Sequence, residues 1–172
     1  MSALDSYLQT VAAEGGYREE EHGGLFTAAW AELEAGFLAR IQAAVEPWSG
    51  WQERFRAGAR ETAVLVETRR REARFMVIEA IAVGDRGRQR QKALGKRIAA
   101  FLDTAREELE EPDAVPPATA QWIVSIFFDR IYRRCASGSG ADLRQQLPEL
   151  QFLATTAFFG MGAGLAEFVA ED

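Results

Sequence analysis

The sequence predicts an all-α protein, and three observations lead to that fold class. Apolar residues recur at three- and four-residue spacing along most of the 172 residues, the period of a helix with one buried face. Strict alternation, the mark of a half-buried strand, is nearly absent. Two terminal segments, one from Ala118 to Cys135 and one from Leu147 to Phe168, are apolar around almost their whole circumference wherever charge is missing. A helix apolar on all sides is buried on all sides. In a chain this short, two such helices point to a partner subunit.

The elements follow in order. Ser2 with Asp5 three residues on reads as a capping box, opening a short helix to about Ala13 that Gly15-Gly16 ends. Arg18 to Gly24 is polar and reads as a loop. Phe26, Trp30, Leu33, Phe37, Ile41 and Ala44 then form the stripe of an amphipathic helix, which Pro47 stops. Ser49 with Gln52 reads as a second capping box, before a helix whose buried face is Trp51, Phe55, Ala59, Thr62 and Val66.

The run from Phe75 to Val83 is too continuous for periodicity to choose between buried strand and central helix. Helix is expected, because no other segment offers a strand to satisfy its backbone groups. Leu94, Ile98, Phe101, Leu102, Ala105 and Leu109 give the cleanest stripe of all. Glu110 to Pro117 is a loop, Ser137 to Gly140 a flexible break, and the final helix begins near Leu147. Seven or eight helices result.

At 172 residues one domain is expected, and 48% hydrophobic with 27% charged residues is ordinary for a soluble globular protein. The longest uncharged run, 17 residues from Leu150 to Ala166, falls short of the ~20 apolar residues that span a bilayer. Asp5 and Glu14 interrupt an N-terminus with neither a basic start nor an apolar block, so no signal peptide is read. The single cysteine, Cys135, excludes an internal disulfide and suits a reducing cytoplasm. Arginine outnumbers lysine 18 to 2, which fits a GC-rich bacterial genome.

The net charge of −6 is uneven, since Arg69 to Arg97 carries ten basic and three acidic residues. A basic stretch can meet phosphate, although such arginines are more often simply solvated on a helix face.

Catalytic chemistry is hard to find. The lone histidine, His22, lies beside Glu19, Glu20 and Glu21 in what reads as an exposed acidic loop, and a metal site needs three or four converging ligands. One Cys and one His make no persuasive nucleophile–base pair, and no glycine-rich loop follows a strand. Glu79 is the one carboxylate inside a long apolar run, with Arg74 as an available partner. An enzyme using Glu79 is the least favoured reading. No catalytic residue, metal or cofactor is expected.

The order of the later segments resembles a known family. Phe128-Asp129-Arg130-Ile131-Tyr132-Arg133-Arg134 is followed by a Gly/Ser break, then Leu147-Pro148-Glu149-Leu150-Gln151-Phe152-Leu153 and Phe158-Phe159-Gly160. This is similar to the C-terminal half of TetR-family transcriptional regulators, where such helices form the four-helix bundle of a dimer. Leu25 to Val45 resembles the helix that joins the two domains of that family. Trp51-Gln52-Glu53-Arg54-Phe55 resembles the start of the next helix, and Ala73 to Ala80 the central one. The resemblance spans roughly residues 24 to 169 and is one of rhythm and order.

Members of that family open with a three-helix DNA-binding unit, which needs roughly 40 residues. Here 23 precede the long helix, and Tyr17-Arg18-Glu19-Glu20-Glu21 has the wrong sign for phosphate. The resemblance therefore implies no DNA contact by these residues, and DNA binding only if a helix-turn-helix is supplied upstream. Residues 1–23 are expected to be an N-terminal segment and 24–172 an effector-binding and dimerisation domain. Either the start is truncated or the domain works alone. The alternative is a stand-alone helical module that pairs with a complete regulator.

Two sets of site residues follow. An apolar pocket for a small hydrophobic effector is expected from Trp30, Phe37, Phe55, Thr62, Met76, Glu79, Phe101, Trp122 and Phe128. A homodimer interface is expected from Trp122, Ile126, Asp129 and Arg133 on one helix. The last helix adds Leu153, Ala157, Gly160 and Gly164 as a stripe of small residues. A cytoplasmic protein with no membrane contact is expected.

Overall fold

In the computed structural model, which describes residues 2–137 and 142–169, the expected capping box opens the chain. The Ser2 hydroxyl accepts the Asp5 N–H at 3.1 Å while the Asp5 carboxylate accepts the Ser2 N–H at 3.2 Å. Together they start α1 (Ala3–Ala13). Helix α2 (Glu19–Val45) begins well before the predicted Leu25 and is about 40 Å long. The segment expected to be a polar loop is thus its first turns. Leu4 and Tyr7 of α1, Phe26 and Trp30 of α2 and Phe75 and Met76 from further on share one core. Tyr7 meets the Phe75 ring edge-on at 5.3 Å.

Helix α3 (Trp51–Thr68) starts without the predicted Ser49 box: Gly50 is its N-cap and no local side chain caps it. The acceptor comes instead from Glu108, whose Oε1 takes the Trp51 N–H at 2.8 Å, while the Trp51 indole donates to the Leu102 carbonyl at 3.0 Å. The ambiguous apolar run is helical, as expected. It lies in α4, which comprises Arg70–Arg74, a π-helical stretch Phe75–Glu79, and Ala80–Ala82. The wider π turn places Phe75, Met76 and Val77 in the interior consecutively. Such a turn disturbs the carbonyl ladder, and the Gln91 side chain donates to the Met76 carbonyl at 2.6 Å.

Helix α5 (Asp85–Asp103) crosses α4 at Gly87, where a Cβ would fall 1.7 Å from the Ala80 oxygen. A short 3-10 turn, Thr104–Glu108, extends it. The following loop is held by Arg106, which donates to the carbonyls of Pro112, Val115 and Pro116 at 2.6–2.9 Å. Helix α6 (Thr119–Ser137) packs against α5.

Helix α7 (Leu147–Val169), expected to be continuous, breaks at Gly160. There φ is 84° and ψ 173°, a conformation essentially confined to glycine. Phe152 and Phe168 would lie about 24 Å apart along a straight helix, yet their ring centroids are 5.2 Å apart. The arm after Gly160 therefore folds back on the arm before it, and a Cβ on Gly164 would fall 1.9 Å from Thr156 Oγ1.

Seven helices and no strand make up the described residues. None of the helices is long and apolar enough to cross a membrane. The expected flexible break around Ser137 to Gly140 lies mostly outside the described residues.

Candidate functional site

Four helices fail to close completely against one another and leave an apolar cavity of about 520 Å³. Leu38, Ile41 and Val45 of α2 form one wall, and Phe55, Ala59 and Thr62 of α3 the next. Ile98 and Phe101 of α5, with Val124, Phe127, Phe128 and Ile131 of α6, complete it. Each set recurs at three- or four-residue spacing, so each is the inner stripe of an amphipathic helix. The cavity meets solvent along α2, where Ala39 and Gln42 are exposed.

Polar atoms on the lining come only from Gln42, Thr62 and Arg97. The Thr62 hydroxyl already donates to the Gly58 carbonyl at 2.8 Å. Arg97 Nη1 donates to Glu34 Oε1 at 2.8 Å, and the other Glu34 oxygen accepts the Trp30 indole N–H at 2.9 Å. Arg54 lies over the Phe101 ring at 5.1 Å, a cation–π contact on the wall's outer side. The lining is therefore apolar with one guanidinium at its edge.

Of the nine residues expected to form a pocket, Phe55, Thr62, Phe101 and Phe128 line this cavity. Trp30 and Met76 do not: both are buried in the first core, where rings and thioether fill space. Phe37 packs against that same core. Glu79 reaches Arg74 at 3.8 Å. Burial and the Glu79 charge push the Tyr7 phenol up to about 12. Trp122 is 60% exposed and lies outside the cavity. Leu38, Ile41, Ile98, Phe127 and Ile131 also line it, although none was expected in the pocket. Their signal was the stripe position alone, since none except Phe127 is aromatic.

His22 departs furthest from expectation. It is fully buried, not part of an exposed loop. Its Nδ1 accepts the Arg18 backbone N–H at 2.8 Å, so the ring proton of the neutral form sits on Nε2, which lies 3.1 Å from Glu14 Oε2. Glu14, Glu21 and His22 bring three ligand-type atoms within 4.8 Å of one another. Arg18, however, bonds Glu14 at 2.7 Å and also pairs with Glu21. With Nε2 protonated and the Arg18 guanidinium bonded to both carboxylates, the cluster is an ion-pair network that seats the first turn of α2.

The expected interface residues divide. Trp122, Ile126, Asp129 and Arg133 are exposed along α6, with Asp129 and Arg133 paired at 2.7 Å. Leu153 and Ala157 are exposed on α7. The Arg130–Glu149 contact at 3.3 Å ties the later half of α6 to the start of α7, while Ala120 and Ile123 of early α6 share a core with Phe158 further along α7, so the two run antiparallel. Gly160 and Gly164 do not continue a stripe with Leu153 and Ala157. Gly160 reverses the chain, and Gly164 is buried against Thr156 of its own helix. Met161, Leu165 and Phe168 of the returning arm are exposed apolar side chains. No known family, curated protein or solved structure matches this chain, which stands as an all-helical protein of seven helices among its described residues.

Proposed function

We propose that this chain is a TetR-like effector-binding and dimerisation unit, and that its effector is a small apolar molecule held between α2, α3, α5 and α6. The carrying observation is the cavity of about 520 Å³, within the ~300–1,000 Å³ typical of small-molecule sites. Apolar walls supply affinity through burial, and Gln42 and Arg97 at the edge supply orientation. A ligand there touches α2, the helix that in the resembled family connects to the DNA-binding head. Any DNA contact belongs to a helix-turn-helix outside the helices described. No residue is assigned a catalytic role.

The test is a thermal-shift screen with hydrophobic and amphipathic molecules. A ligand at 100 times its dissociation constant adds ~2.7 kcal/mol, or roughly 5–11 °C for a chain of this size. Ala59→Trp, which puts a large ring on the cavity wall, abolishes or weakens the shift while keeping the circular dichroism of wild type. No shift from any compound would sink the proposal.

A second reading, a module that pairs with a complete regulator, draws on exposed Trp122, Ile126 and Leu153, which are 60%, 39% and 38% accessible. Apolar residues at the centre of a patch with a charged rim suit a protein partner. Asp129 and Arg133 provide that rim.

A further inference from the structure

A second cavity, of about 510 Å³, lies between α5 and α6 and adjoins the first. Its lining differs in carrying three cationic side chains. Arg88, Lys92 and Lys96 line it from α5, Gln121 and Ser125 from α6, and no acidic side chain does. Arg88, Lys92 and Lys96 are spaced i, i+4, i+8, so they stand one above another on a single helix face. Like charges at that spacing destabilise a helix by a few tenths of a kcal/mol per pair. Arg88 is tied to Asp85 at 2.6 Å. Neither lysine has an ion-pair partner among the described residues, and they are the chain's only two lysines.

The two cavities share a wall. Val124 and Phe128 line both, and opposite them stands Gly95, with Val124 Cγ1 only 3.7 Å from where its Cβ would be. One side of this partition is apolar and the other cationic, which is the profile of an amphiphile with an anionic head.

We infer that the effector is a phosphorylated or comparably anionic amphiphile. Its head lies on Lys92, Lys96 and Arg88, and its apolar tail reaches the larger cavity by turning aside the Phe128 ring, which with Val124 separates the two. This rests on the effector reading above and narrows it to a ligand class. An ammonium ladder suits a phosphate monoester, whose charge approaches −2 at neutral pH and whose oxygens accept several donors. The Gln121 amide, next to Gly95, supplies a further donor. The groove is open to water, so the head contributes through screened charge and salt weakens it.

The experiment compares four probes by calorimetric titration on the full chain: decanol, decanoate, decyl phosphate and inorganic phosphate. Decyl phosphate is expected to bind at least ten-fold more tightly than decanol, with decanoate between. Raising the salt from 50 to 500 mM weakens decyl phosphate and leaves decanol unchanged. Lys92→Ala/Lys96→Ala, a surface change, removes the advantage of decyl phosphate without altering decanol, and Lys92→Arg/Lys96→Arg restores it. Amine-reactive labelling gives an independent readout, because both lysines should be protected by decyl phosphate and not by decanol.

Equal affinity for decanol and decyl phosphate, or no effect of the double alanine variant, would overturn this inference and leave the apolar effector reading standing. Binding of inorganic phosphate as tight as that of decyl phosphate would overturn it too, since the tail would then contribute nothing. Failure of every decyl compound to bind would also overturn this inference, while the thermal-shift screen decides the apolar effector reading. A DNA duplex that protects the lysines in place of decyl phosphate would assign the groove to nucleic acid instead.

Discussion

Replacing Glu67 by glutamine should unlatch three segments at once. Arg134 of α6 grips this α3 carboxylate with two parallel bonds, Nε to Oε1 and Nη2 to Oε2, each 2.7 Å. The two side chains are 11% and 8% exposed. The Leu143 N–H, just before α7, adds a bond at 3.3 Å, and Arg70 adds one at 2.9 Å. Glutamine keeps the shape and removes the charge, leaving the guanidinium buried without its partner. At an effective dielectric near 20, charges ~4 Å apart attract by about 4 kcal/mol, and breaking a buried pair typically costs ~3–5 kcal/mol. Each kcal/mol moves the midpoint of a chain this size by ~2–4 °C, so Glu67→Gln should lower it by roughly 6–20 °C.

Thermal unfolding followed by circular dichroism measures this, within a double-mutant cycle that adds Arg134→Met. The double variant should recover most of the loss, because no buried charge is left without its partner and Arg70 is exposed to water. A midpoint within ~2 °C of wild type, or a coupling energy below ~0.5 kcal/mol, would refute the reasoning. Acidity supplies a second check. The Arg134 guanidinium holds the Glu67 carboxyl below the usual carboxylate range. The folded pKa is thus lower than the unfolded one, near 4.3. The stabilisation is complete above that unfolded value and is lost as pH falls through the folded one. The gap between wild type and Glu67→Gln should therefore close in strongly acidic buffer.

Three further outcomes are expected. Gly160→Ala should cost ~1–3 kcal/mol, because φ of 84° with ψ of 173° is strained for alanine. Gly162→Ala, with nothing within 4 Å of its Cβ, should be neutral or mildly stabilising, and equal denaturation midpoints for the two variants would contradict the fold-back geometry. Sedimentation should show a dimer that Trp122→Glu with Leu153→Glu dissociates; a wild-type monomer at tens of micromolar would remove the self-association. Burial pushes the Cys135 thiol pKa up, so a thiol reagent at neutral pH should modify the folded chain more slowly than the denatured one, and equal rates would place that sulfur in solvent.

Much of the fold was legible because local rules are read from local residues. Ser2 and Asp5 announce their capping box, Pro47 ends a helix, and the α5 stripe from Leu94 to Ala105 marks its buried side. The site was half legible for the same reason. Phe55, Thr62, Phe101 and Phe128 sit on inward stripes and do line the cavity. Trp30 sits on an equally good stripe and Met76 in a continuous apolar run, yet both face a core that other helices fill. Periodicity states which face turns inward but not whether the neighbours complete the packing.

The helical class, most helix positions and the apolar faces can be read along the chain, since they follow from hydrogen bonding and burial within about four residues. That Glu108 caps α3, that Arg134 latches Glu67 and that His22 is buried beneath Arg18 emerges only in the folded chain. So do the reversal of α7 at Gly160 and the wall that a basic groove shares with an apolar cavity. The first three join residues from separate turns or helices through short-range forces. Such contacts exist only after the chain has brought its elements within a few ångströms of one another.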